Sequence, residues 1–92
     1  NPWRNDIMVS VKRMVLDILK PHNPNALEFS QAIAEVGADY HVNLIVLEVD
    51  KNTETIKVEI KGSAIDFDVI QEAITNMGGS LHSIDEVEVH NK

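Results

Sequence analysis

The chain contains no cysteine. That absence excludes disulfides, cysteine-held iron–sulfur clusters, zinc ribbons and thiol catalysis together. It also suits a reducing compartment, so a cytoplasmic location is expected. Basic residues are few: eight Lys and Arg stand against fifteen Asp and Glu, for a net charge of −7. An acidic domain repels phosphate backbones and anionic bilayers, so neither nucleic acid nor membrane is an expected partner. No apolar run reaches the ~18 residues that span a bilayer. The opening Asn1-Pro2-Trp3-Arg4-Asn5-Asp6 has no apolar signal-peptide core. Aromatics are scarce, with one Trp, one Tyr and two Phe in 92 residues.

What the chain does have is an ordered change of period. Strand-like runs lie at Val11–Leu19, His41–Val49, Glu54–Ile60 and Leu81–Val89, and helix-like runs at Asn25–Val36 and Phe67–Met77. This order predicts an α+β fold, the ferredoxin-like βαββαβ sandwich. Right-handed crossovers give a four-stranded antiparallel sheet of order 4-1-3-2, with both helices on one face. Residues 1–10 read as an N-terminal extension and 11–90 as a single domain, with Met8 as a natural start. Hydrophobic content of 43% and charge of 25% are ordinary globular values.

Local signals sharpen the boundaries. Met14, Leu16 and Ile18 point one way from strand one; Arg13, Val15, Asp17 and Leu19 point the other. Helix one is capped by Asn23 ahead of Pro24, or by Asn25 with Glu28 as a capping box. Gly37 is its expected stop. Asp50 to Thr53 form a hairpin turn in which Asn52 tolerates a left-handed conformation. Asp66 caps helix two, Ser63 with Asp66 suggests a capping box one turn earlier, and Gly78-Gly79 ends the helix. Strand four breaks its alternation at Ile84, which predicts a bulge or a two-sided edge. The apolar run on outer strand two is an aggregation hazard unless covered.

Several occupants of this fold are excluded by missing residues. Metallochaperones and ferredoxins need cysteines. RNA-recognition sheets need aromatics on strands one and three, which have none. Acylphosphatases need an arginine after strand one, where this chain has Pro21-His22-Asn23-Pro24. Ligand-sensing domains of the ACT type remain open.

The candidate chemistry is acidic. Asp50, Asn52 and Glu54 mimic an EF-hand opening, but Thr55 and Lys61 stand where Gly and Glu are required, so a hairpin turn explains them better. Strands one and four should pair antiparallel. With Lys20 opposite His82, Asp17 falls opposite Asp85, and Glu86 and Glu88 add charge nearby. Such oxygen ligands suit Ca²⁺ or Mg²⁺. The competing reading pairs these carboxylates with Lys12, Arg13 or Lys57 on the sheet surface. His22 and His82 meet if the end of strand one faces the start of strand four, adding nitrogen ligands or a pH sensor. The candidate metal residues are thus Asp17, Asp85, Glu86, His22 and His82. A hydrolase using His82 and Asp85 lacks an activated nucleophile.

Two segments carry a family resemblance. Val15-Leu16-Asp17-Ile18-Leu19-Lys20-Pro21-His22 and Leu81-His82-Ser83-Ile84-Asp85-Glu86-Val87 resemble the signature stretches of an archaeal family, domain of unknown function 211. Asp66-Phe67-Asp68 and Gly78-Gly79 also match. The resemblance implies a ferredoxin-like fold, ring-shaped homo-oligomers and occasional divalent cations, and it supplies no activity. The expectation is therefore a non-enzymatic oligomeric domain that binds a divalent cation or small ligand near subunit contacts. The alternative is a structural or protein-interaction assembly module without ligand.

Overall fold

The computed structural model describes residues 9–91. Residues 1–8, with Trp3 and the proposed Met8 start, and Lys92 lie outside the described residues. The elements are β1 (Val9–Pro21), α1 (Ala26–Ala34), β2 (His41–Val49), β3 (Thr53–Lys61), α2 (Phe67–Asn76) and β4 (Ser80–Asn91). They form one antiparallel sheet of order β2-β3-β1-β4, the expected order read from the opposite edge. β1 begins at Val9, two residues before the domain start read from the sequence. No helix among the described residues is long and apolar enough to cross a membrane.

One face of the sheet carries the core. Met14, Leu16 and Ile18 of β1 and Ile56, Val58 and Ile60 of β3 point into it. Phe29 and Ile33 of α1 and Ile70 and Ile74 of α2 close over them, with Ile65 at the side. Period two on the strands and period 3.6 on the helices meet on a single apolar layer, which drives folding.

The helix ends follow hydrogen-bonding logic. Asn25, not Asn23, caps α1. Its side chain accepts from the Glu28 amide at 2.9 Å, and Glu28 accepts from the Asn25 amide at 3.0 Å. The Asp66 side chain accepts from the Asp68 amide at 3.1 Å and the Val69 amide at 3.4 Å. Ser63 forms no capping box; its amide donates to Asp39 and its carbonyl accepts from Lys12. Gly78, at φ 83°, takes the left-handed turn that ends α2. Gly37 does not act in this way, since α1 already stops at Ala34 with Glu35 as its cap. The Tyr40 ring lies where a Cβ on Gly37 would be, which explains the glycine. Asn52 is not left-handed either, because no described residue other than glycine has positive φ. The turn closes instead through the Asp50 amide on the Thr53 carbonyl at 2.8 Å.

Bulges decide the register. Lys12 of β1, Leu47 of β2, and His82 and Asp85 of β4 are each an extra residue with no partner opposite. The break expected near Ile84 is therefore present twice. The pairing of β1 with β4 also departs from the expected one, because the ladder ends at Leu19 and Ser80. Asp17 stands opposite Ser83, not Asp85, and Leu19 opposite Ser80. A Lys20–His82 anchor would put Ser83 opposite Leu19, three residues past Ser80; the extra residue at His82 recovers one of those positions and leaves Asp17 two short of Asp85.

Candidate functional site

The sheet face without helices is a lattice of charge. Arg13 of β1 sits between two carboxylates, with Nε 2.6 Å from Glu59 of β3 and Nη1 bonded to Glu86 of β4. Lys57 of β3 reaches across β1 to Asp85, 3.4 Å away. The Ser83 hydroxyl donates to the other Asp85 oxygen at 2.6 Å. That hydroxyl first, and Lys57 next, hold the Asp85 carboxyl below the usual carboxylate range. The Arg13 guanidinium is pushed up by the same kind of contact, with Glu86 first and then Glu59. Val15 lies buried beneath these long side chains.

The sequence candidates therefore separate. Asp17 and His82 do come together: with Leu19 and Thr55 they line a shallow pocket of about 190 Å³. That is smaller than the ~300–1,000 Å³ typical of sites for drug-sized ligands. Asp85 and Glu86 lie on the same face, each already held by a basic side chain. His22 does not join His82. It turns toward β3 and its turn, across β1 from β4. Among the described residues no three His, Asp or Glu side chains gather as a metal site. Surface pairing, the competing reading of the acidic residues, is what the geometry gives for Asp85 and Glu86.

A second constellation went unread in the sequence. Lys20 is 0% exposed, the one charged side chain in the described core. Its Nζ donates to Glu54 at 2.9 Å and to the Pro21 carbonyl at 2.7 Å. It also lies 5.9 Å from the centre of the Phe29 ring, within cation–π range. Glu54 is bidentate, and its other oxygen lies 2.9 Å from His22 Nδ1. His22 Nε2 is 3.0 Å from the Lys51 carbonyl. Both ring nitrogens face acceptors, and only the imidazolium can donate to both. Glu54 first, then the Lys51 carbonyl, raise the His22 pKa. In return His22, then Lys20, lower that of Glu54. The signal was present: Lys20 continues the inward phase of Met14, Leu16 and Ile18.

This network sets a pH dependence. His22, raised on folding, stabilises fully below its ordinary value of about 6.5, and this is lost as pH rises through the folded value. Glu54, lowered on folding, stabilises above the ordinary carboxylate range, and this is lost as pH falls through the folded value. The network contributes most between those limits, at about pH 5–6. Thermal unfolding followed by circular dichroism is expected to give a melting temperature that declines from pH 6 to 8. His22→Gln removes that decline; an equal decline in the variant would place the titration elsewhere.

Fold and face together define a small α+β domain of the ferredoxin-like type. The chain belongs to the DUF211 family, described as Uncharacterized ArCR, whose match covers residues 12–92. It is similar to the uncharacterized protein MJ0319 of Methanocaldococcus jannaschii, 48% identical over 80 residues, which are 87% of this chain and 82% of that protein. Neither description names an activity.

Proposed function

We propose that this domain is a non-enzymatic assembly module that forms a closed homo-oligomeric ring through its sheet edges. The observation that carries the reading is where the apolar surface lies. The core face is covered by helices and the other face by charge, yet both outer strands carry large apolar side chains. On β2 these are Ile45, Val46, Leu47 and Val49, the last 64% exposed; on β4 they are Ile84, Val87 and Val89. Edges of this kind template pairing with another chain unless blunted. A head-to-tail contact that closes covers both edges with one kind of interface.

Light scattering on the intact chain at micromolar concentration tests this. The expected mass is three or more times the 10.3 kDa of one chain. A monomer mass overturns the proposal.

One observation favours an added ligand role: the pocket that joins Asp17 to His82. Two donors fall short of the six to eight oxygens Ca²⁺ takes, so a cation there would draw ligands from water or a neighbouring copy. Calorimetric titration with Ca²⁺ and with Mg²⁺ is expected to give heat that Asp17→Asn abolishes. Absence of heat leaves the ligand-free module.

A further inference from the structure

We infer that β4 of one copy pairs antiparallel with β2 of the next, continuing one sheet through the assembly. This rests on the assembly reading above and specifies which edges meet.

Direction is the first argument. Every neighbouring pair in the sheet is antiparallel, so β2 runs with β1, and β4 runs against both. A second copy in the same orientation therefore offers its β2 antiparallel to β4. No reversal of the neighbour is needed.

Charge is the second. β4 carries Asp85, Glu86 and Glu88 with His82 and His90 but neither Lys nor Arg; Asp85 and Glu86 lean on Lys57 and Arg13 of their own copy, and Glu88 lies 2.6 Å from His90. Pairing β4 with another β4 brings two strands with three carboxylates each side by side and adds no Lys or Arg between them, and like charges across strands are destabilising. β2 carries Glu48 as its one carboxylate and opens with His41. Pairing β2 with β2 avoids the repulsion but leaves Ile84, Val87 and Val89 uncovered.

Register is the third. The ladders define rows across the sheet. His41, Lys61, Arg13 and Glu88 share one; Val42, Ile60, Met14 and Val87 share the next. Leu44, Val58, Leu16 and Ile84 share another. Carried into a second copy, the rows set Glu88 against His41, Val87 against Val42, and Ile84 against Leu44. The open face then meets acid to imidazole, and the helix face meets apolar to apolar. The partly buried Val42 and Leu44 of β2 gain the exposed Val87 and Ile84 of β4 as neighbours.

Directly opposed antiparallel residues have Cα atoms ~4.5–5.5 Å apart, within disulfide range. The chain has no cysteine, so engineered ones report without background. The test is mild oxidation of Val42→Cys/Val87→Cys and, separately, of Leu44→Cys/Ile84→Cys, each at the native mass. The expected result is a covalent ladder in a double variant and no link in any of the four single variants. Dimers from Val42→Cys or Leu44→Cys alone mean β2 pairs with itself, and dimers from Val87→Cys or Ile84→Cys alone mean β4 does; either overturns the inference. Unlinked chains at an oligomeric mass overturn it too while leaving assembly intact. A monomeric mass removes the assembly reading itself.

Discussion

Phe29→Ala is expected to lower the unfolding free energy by about 3–5 kcal/mol, the largest loss of any single substitution considered for this domain. The ring is fully buried between the sheet and the helices. It touches the turn after α2 closely enough that a Cβ on Gly79 would lie 3.2 Å from its Cζ. Glycine at 79 and phenylalanine at 29 thus fill one space, and removing the ring leaves a cavity the backbone cannot close. The ring also faces the Lys20 ammonium, so truncation strips that cation of its aromatic neighbour. Total stabilities of small domains are ~5–15 kcal/mol, so the variant sits near the unfolding threshold. Urea denaturation measures this. Phe29→Leu, which keeps most of the volume, is expected to lose less than half as much; equal losses in the two variants would contradict the packing account.

Lys20→Ala is expected to cost about 3 kcal/mol, from a cavity and a carboxylate left without its buried partner. The sharper test is the pair. Glu54→Leu leaves an ammonium at a fully buried site with only the Pro21 carbonyl as acceptor, and it lowers the melting temperature. Lys20→Met/Glu54→Leu removes both charges and keeps an unbranched chain beside Phe29. That double variant is expected to recover most of the loss, because well-packed apolar replacements of buried ion pairs are often neutral. A double-mutant cycle on urea midpoints reads the coupling; strict additivity would show that Lys20 and Glu54 do not act as a unit.

The six elements and their order were legible because each keeps its own period and most carry a cap or turn residue at the boundary. The Asp66 cap and the Gly78 stop needed nothing beyond local chemistry. Less was legible wherever a residue's meaning depends on its neighbours in space. The break at Ile84 marks bulged pairing in β4, but no local signal shows that β1 meets β4 at Leu19 and Ser80, and a Lys20–His82 anchor therefore misplaces Asp17 against Asp85. Gly37 looked like a helix stop, and only the fold shows that the Tyr40 ring takes the room of a side chain. His22 was drawn toward β4, since Glu54 on the other side of β1 emerges from the β1–β3 register alone. Lys20 was the one case in which parity already held the answer, and its charge argued against reading it as buried.

The candidate metal residues divide by the same logic. Asp85 and Glu86 meet Lys57 and Arg13 because β1 lies between β3 and β4, an order the sequence predicted. Asp17 and His82 share a pocket because the bulge at His82 belongs to the open face. The charged open face leaves the exposed apolar side chains on the outer strands, and these are the ground for the proposed assembly.

The most direct test of that account is amide hydrogen exchange of β2 and β4 as a function of protein concentration. Outward-facing amides on an uncovered edge exchange fast, whereas amides bonded to a neighbouring strand are protected. The account predicts protection on both strands at micromolar concentration, lost from both together on dilution, while β1 and β3 stay protected. Fast exchange along both edges at every concentration would contradict it.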